Sequence, residues 1–159
     1  KPVWELAQDD RQDAILQISS KYKSCVPFDS LQHKKSWTYQ IQDFLSKSDT
    51  ILFPGFETID IVRTDSNFIL KIKVGMFPPY FVELLCSNAL MDRLYPILLK
   101  RVELDDETQV FLFAKIKQVK KPEFELIPTL NHPDEWLYVQ LEASEAFMLK
   151  GELFDFEVR

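Results

Sequence analysis

Glycine is scarce in this chain: 3 residues in 159, against 9 prolines. That leaves few positions for left-handed turns and excludes a glycine-rich loop able to cradle phosphate on its backbone amides. Histidine and cysteine are nearly as rare, at 2 each. Cys25 and Cys86 lie far apart, without the clustered spacing of a zinc site or a disulfide framework, and allow one bridge at most. Two isolated thiols favour a reducing, intracellular setting, which does not distinguish cytoplasm from nucleus. No apolar run approaches the roughly 18 residues needed to span a bilayer, and no basic start with an apolar centre marks a signal peptide. A membrane role is therefore not expected. The chain opens on Lys1 rather than Met, which suits a processed product or one domain of a longer protein.

What is present is globular composition. The chain is 46% hydrophobic and 28% charged, and its 13 Phe, 5 Tyr and 3 Trp can fill a large core. The length suits a single domain over residues 1–159. Net charge is −6. An acidic surface repels phosphate backbones at long range, so broad nucleic-acid binding is disfavoured although a local basic patch is compatible with it.

Period-two patterning dominates the second half. Gln109–Val119 reads QVFLFAKIKQV, placing Val110, Leu112, Ala114 and Ile116 on one side and Phe111, Phe113, Lys115 and Lys117 on the other. Glu57–Arg63 and Phe68–Val74 form a hairpin candidate around the turn-forming Thr64-Asp65-Ser66-Asn67. Thr50–Phe53, Ile97–Leu104, Trp136–Glu142 and Phe147–Val158 are further strand candidates, while Tyr80–Leu85 suits a strand or a helix start. In Phe147–Val158 the apolar phase shifts between Leu149, Gly151, Leu153 and Phe154, Phe156, Val158, which requires a bulge near Leu153-Phe154.

Helical spacing appears earlier. Asp9–Lys23 carries the stripe Ala14, Ile15, Ile18, Tyr22, and Ser36–Ser46 carries Trp37, Ile41, Phe44, Leu45. Ser87 caps a third helix that Pro96 is expected to stop at Tyr95. The segment from Ser24 to Lys35 reads as loop. Together these give an α+β fold, helical over 1–47 and mostly strands over 50–159 with one helix near 87–95. The N-terminal helices should pack on a mainly antiparallel, strongly curved sheet or partial barrel. Trp37, Ile41, Phe44, Ile59, Ile61, Leu70, Ile72, Leu112, Ile116, Val139 and Leu141 are the expected core.

Chemistry is thin by comparison. His33 sits beside Lys34 and Lys35, and His132 lies in NHPDE; nothing in the sequence joins either to a nucleophile, although a Cys25–His132 pair is conceivable. Phe111, Phe113, Lys115, Lys117, Lys120 and Lys121 alternate rings with ammoniums, as surfaces that bind single-stranded nucleic acid do. The same lysines would equally protect an edge strand. Glu152, Asp155 and Glu157 could form a carboxylate row for a hard cation, but such sites draw ligands from several segments. No metal or other cofactor is expected.

One resemblance concerns the order of elements. A helix, three short strands, a helix and a strand, with Asp60 in TIDIV and Lys73 in LKIKV, is similar to the core of the PD-(D/E)xK nucleases over about half the chain. The resemblance implies divalent-metal chemistry at Asp60 and an adjacent acid. That acid is missing, because position 71 is Lys, and an ammonium cannot ligate a cation. The favoured expectation is a non-enzymatic protein–protein interaction or assembly module. Phe154, Phe156 and Val158 are candidate interface residues if the bulge turns them outward, leaving a homodimer open.

Overall fold

The computed structural model describes residues 5–28, 50–75, 80–104, 108–120 and 147–159. In chain order these form helix α1 (Gln8–Ser19), strands β1 (Cys25–Pro27), β2 (Thr50–Phe53), β3 (Glu57–Arg63), β4 (Phe68–Val74) and β5 (Tyr80–Cys86), helix α2 (Asn88–Glu103), and strands β6 (Val110–Lys120) and β7 (Phe147–Val158). The class is α+β. The strands build one mixed sheet of seven in the order β1-β2-β6-β7-β5-β4-β3. Four pairings are antiparallel, while β1–β2 and β5–β7 are parallel. The last strand thus lies in the middle, joining β6 on one side to β5 on the other.

Alternation along the strands sends side chains to two separate cores. On one face, Ile51, Phe53, Leu70, Ile72, Val82, Leu84, Leu112 and Leu149 meet Leu90, Met91, Leu94 and Leu98 of α2. On the opposite face Leu52, Phe111 and Phe113 meet Ala14, Ile15 and Ile18 of α1, with Tyr22 and Phe154. Both apolar faces of the central strands are consequently covered by helix. The sheet stays open and does not curl strongly, so the expected strong curvature or partial barrel is not what forms. A sheet with a helix on each face has no single core to wrap around.

The phase change in β7 falls where the sequence places it. Leu153 pairs with Ala114 and Asp155 with Phe113, leaving Phe154 as the extra residue of a bulge. The outcome is a sharing of side chains: Phe154 joins the α1-side cluster and Phe156 the α2-side cluster. A second irregularity, between Ile116 and Gln118, lies opposite Gly151.

Several expectations are corrected. The expected strand Ile97–Leu104 is instead the second half of α2 with Leu104 at its C-cap, and Pro96 lies inside that helix. Proline cannot donate to the carbonyl four residues back. The buried stripe Leu90, Leu94, Leu98 continues through it and outweighs that loss. Part of the stretch read as loop is β1, held by parallel pairing to β2. Helix α1 runs from Gln8 to Ser19, ending short of the expected Lys23, with Ala7 at its cap position and Asp9 and Asp10 in its first turn. Of the expected core, Leu70, Ile72 and Leu112 are buried, Ile61 and Ile116 pack partly, and Ile59 is 51% exposed. Trp37, Ile41, Phe44, Val139 and Leu141 lie outside the described residues, as do the candidate elements at 36–46 and 136–142.

Candidate functional site: the groove between α2 and β3

Helix α2 starts firmly, because the Ser87 hydroxyl accepts the Leu90 amide at 3.2 Å. Its sheet-facing side is buried. Its other side is unusual for a soluble helix: Tyr95, Leu99 and Val102, at i, i+4 and i+7, are 47%, 38% and 74% exposed. Two basic side chains of the helix, Arg93 and Arg101, lie against aromatic rings. The Arg93 guanidinium lies 5.2 Å from the Phe156 ring centre and that of Arg101 4.8 Å from Phe56.

Edge strand β3 runs beside this helix. Its hairpin turn is fixed by the Thr64 amide and hydroxyl, which donate to the Asn67 carbonyl at 2.8 and 2.9 Å. The Asn67 amide returns a bond to the Thr64 hydroxyl at 3.1 Å. The edge is guarded against further strand pairing. Ile59 is bulged out between Thr58 and Asp60, and the Asp60 carboxylate accepts the Ile61 amide at 2.8 Å.

Between helix and edge lies a half-open cavity of about 360 Å³, lined by Ile61, Phe68, Met91, Asp92, Tyr95 and Pro96. Its walls are apolar apart from Asp92 and the Tyr95 hydroxyl. Among the described residues Asp92 forms no ion pair. The sequence hides this site because its walls come from segments about 30 residues apart. The Tyr95–Leu99–Val102 spacing is a usable signal only if the helix is carried past Pro96.

A second polar cluster joins α1's end to β7. Asp155 accepts a short hydrogen bond from the Tyr22 hydroxyl and an ion pair from Lys21 at 2.7 Å. The Tyr22 ring stands edge-on to Phe113 and Phe154, with centres 4.9 and 5.0 Å away. Burial and the neighbouring carboxylate push the Tyr22 phenol up to about 12. A phenol held protonated in this way is a poor base, so the cluster acts as a clasp for α1.

The other candidate residues are placed as follows. Phe111 and Phe113 are fully buried beneath α1, so neither ring offers a face to a base. Lys115 lies over the Phe154 ring at 5.7 Å and Lys117 pairs with Glu152 at 3.3 Å. Lys120 ends β6; Lys121, His33 and His132 lie outside the described residues. The three carboxylates of β7 are engaged one by one: Glu152 by Lys117, Asp155 by Lys21, and Glu157 by Arg159 at 3.3 Å. Phe154 and Phe156 turn to opposite faces, and Val158 alone of the three is well exposed, so they do not form one patch.

Asp60 lies opposite Lys71, and Lys73 opposite Glu57. No group of three His, Cys, Asp or Glu able to hold a metal occurs among the described residues. Cys25 and Cys86 are both free, and burial raises each thiol to about 11, the reverse of what a thiolate nucleophile needs. Compared with protein-family models, with curated proteins and with solved structures, the chain gives no match in any of the three. Among the described residues, no helix is long and apolar enough to cross a membrane.

Proposed function

We propose that this chain is a non-enzymatic protein–protein interaction module working inside the cell, and that its binding face is the outer side of α2 with the adjoining groove. The observation that carries the reading is the row Tyr95, Leu99, Val102. Three large apolar side chains at helical spacing stay in water on an otherwise well-packed helix, beside a cavity. Contiguous exposed apolar surface of this kind marks interaction sites. Aromatic anchors such as Tyr95 are enriched where interfaces concentrate their energy. The two free thiols fit a reducing compartment. A homodimer through Phe154, Phe156 and Val158 has less support, because the bulge separates the two rings.

Affinity capture with the purified chain tests the reading when run beside the double variant Leu99→Glu, Val102→Glu. Both positions are exposed, so the variant should stay folded. The expected result is a partner captured by the native chain and lost by the variant. Capture indifferent to the variant, or robust turnover of a substrate library by the chain alone, overturns it.

A further inference from the structure

We propose that the groove between α2 and β3 receives an arginine side chain from the protein partner; this rests on the interaction-module reading and specifies its recognition chemistry. The polar groups at the groove are the starting point. Asp92 contributes a carboxylate with no ion pair among the described residues, while the helix's two arginines, Arg93 and Arg101, lie over the rings of Phe156 and Phe56.

Pro96 adds a second acceptor. It stands four residues after Asp92 inside α2 and has no N–H, so the Asp92 carbonyl lacks the amide that an uninterrupted helix would give it four residues on. Both residues line the cavity. One lining residue thereby carries two acceptors, a carboxylate and a main-chain carbonyl without its usual helical donor. The Tyr95 ring supplies a face that attracts cations. Ile61, Phe68 and Met91 offer apolar wall for a methylene stem. The volume of about 360 Å³ is at the small end of the roughly 300–1,000 Å³ typical of binding pockets. It suits one long side chain.

Arginine fits this arrangement better than lysine. Its planar fork can donate to two acceptors at once and stack on a ring, where an ammonium is a compact, strongly hydrated point charge. Strand addition at the same edge is opposed by the Ile59 bulge and by the Asp60 carboxylate on the Ile61 amide. The groove is thus built for an inserted side chain and not for a peptide backbone. The net charge of −6 favours a basic partner at long range.

The test is an NMR titration of the ¹⁵N-labelled chain with acetyl-Leu-Arg-Leu-amide. The controls are the same peptide with citrulline, which keeps the shape and loses the charge, and with lysine. The arginine peptide at millimolar concentration should shift the amides of Ile61, Phe68, Met91, Asp92 and Tyr95. The citrulline peptide should bind at least about tenfold more weakly, as expected for losing a charge-assisted pair. Asp92→Asn should weaken the arginine peptide by a similar factor. Pro96→Ala should weaken it severalfold by returning the Asp92 carbonyl to the helix, with α2 intact in both spectra. Equal binding of arginine and citrulline peptides, shifts located on another surface, or no shifts at all overturn the proposal. If capture of a partner by the native chain still depends on Leu99 and Val102, the interaction reading survives that failure; if capture also ceases to depend on them, both fall.

Discussion

Gly151 is the position where adding a single methyl group should hurt most. It lies in β7 opposite Ile116, beside the second irregularity of the β6–β7 pairing. A Cβ built there would stand 2.1 Å from the Lys115 carbonyl oxygen and 2.9 Å from both the Lys115 carbonyl carbon and the Ile116 Cα. All three are backbone atoms of the neighbouring central strand, so no side-chain rotation relieves the clash. Gly151→Ala must push β6 and β7 apart at the seam that joins the two halves of the sheet. Overpacking typically costs about 1–3 kcal/mol, and rigid backbone neighbours place this case at the upper end or beyond. Against that stands a gain of about 0.4–1 kcal/mol, because alanine restricts the unfolded chain. The net expectation is a loss of about 2–3 kcal/mol. For a domain of this size that lowers Tm by roughly 4–12 °C, at about 2–4 °C per kcal/mol. Urea unfolding followed by circular dichroism measures it, with Gly55→Ala as control, since nothing lies within 4 Å of a Cβ at position 55. A Gly151→Ala chain within about 0.5 kcal/mol of the native one, the usual range of neutral surface changes, would refute the close-approach reasoning.

The remaining predictions concern the clasp, the buried rings and the guarded edge. Burial alone would raise the Asp155 carboxyl, but hydrogen bonds from Lys21, Tyr22 and the Phe156 amide hold it below its ordinary value of 3.8. Stability from this group is therefore present above the unfolded value and lost as pH falls through the lower folded one; a urea-midpoint profile should show that acid limb shrink in Asp155→Asn. Tyr22 has the opposite sign: raised to about 12 from 10.0, its contribution holds below pH 10 and is lost as pH climbs toward 12, and Tyr22→Phe should remove that alkaline fall. Phe113→Ala should cost about 3–5 kcal/mol, the usual range for emptying a buried phenylalanine site, and an unchanged denaturation midpoint would reinstate its ring as an open stacking surface. Asp60→Ala removes both a charge and the partner of the Ile61 amide from the β3 edge, so light scattering should reveal concentration-dependent association; a variant that scatters like the native chain at every concentration would show that Asp60 does not guard the edge.

Local chemistry made parts of this fold legible. The β3–β4 hairpin follows from alternation on either side of Thr64-Asp65-Ser66-Asn67, and the bulge at Phe154 from a phase change that a regular strand cannot make. Pro96 misled for an equally local reason. It does remove a hydrogen bond, but Leu94, Leu98 and Ile97 pack against the sheet on both sides of it, and tertiary burial carries the helix on to Glu103. Parallel pairing left no trace in the sequence: β1 has only three residues, and the β5–β7 contact joins residues more than 60 positions apart. Lys115 and Lys117 were rightly placed on the face of Phe111 and Phe113, yet period-two patterning says nothing about which face a helix will cover. Here α1 covers the rings and leaves the lysines outside. The groove was invisible for the same reason, since Ile61 and Phe68 meet Met91 and Tyr95 only once the sheet is assembled.

The place of β7 between β5 and β6 sets an order of events during synthesis. Until residues 147–158 emerge, β1, β2 and β6 can form one ribbon and β3, β4 and β5 another, with no ladder between them. A nascent chain therefore carries two open edges, on β5 and β6, with the place of β7 between them still unfilled. Completion of the sheet is limited by a long-range closure that cannot start before β7 is available. In that interval the unfilled slot is open to any compatible strand, including β7 of another molecule. Such a slot is a natural place for chaperone engagement. It is also a place where a synthetic peptide of residues 147–159 could rescue a truncated chain, or poison a full-length one.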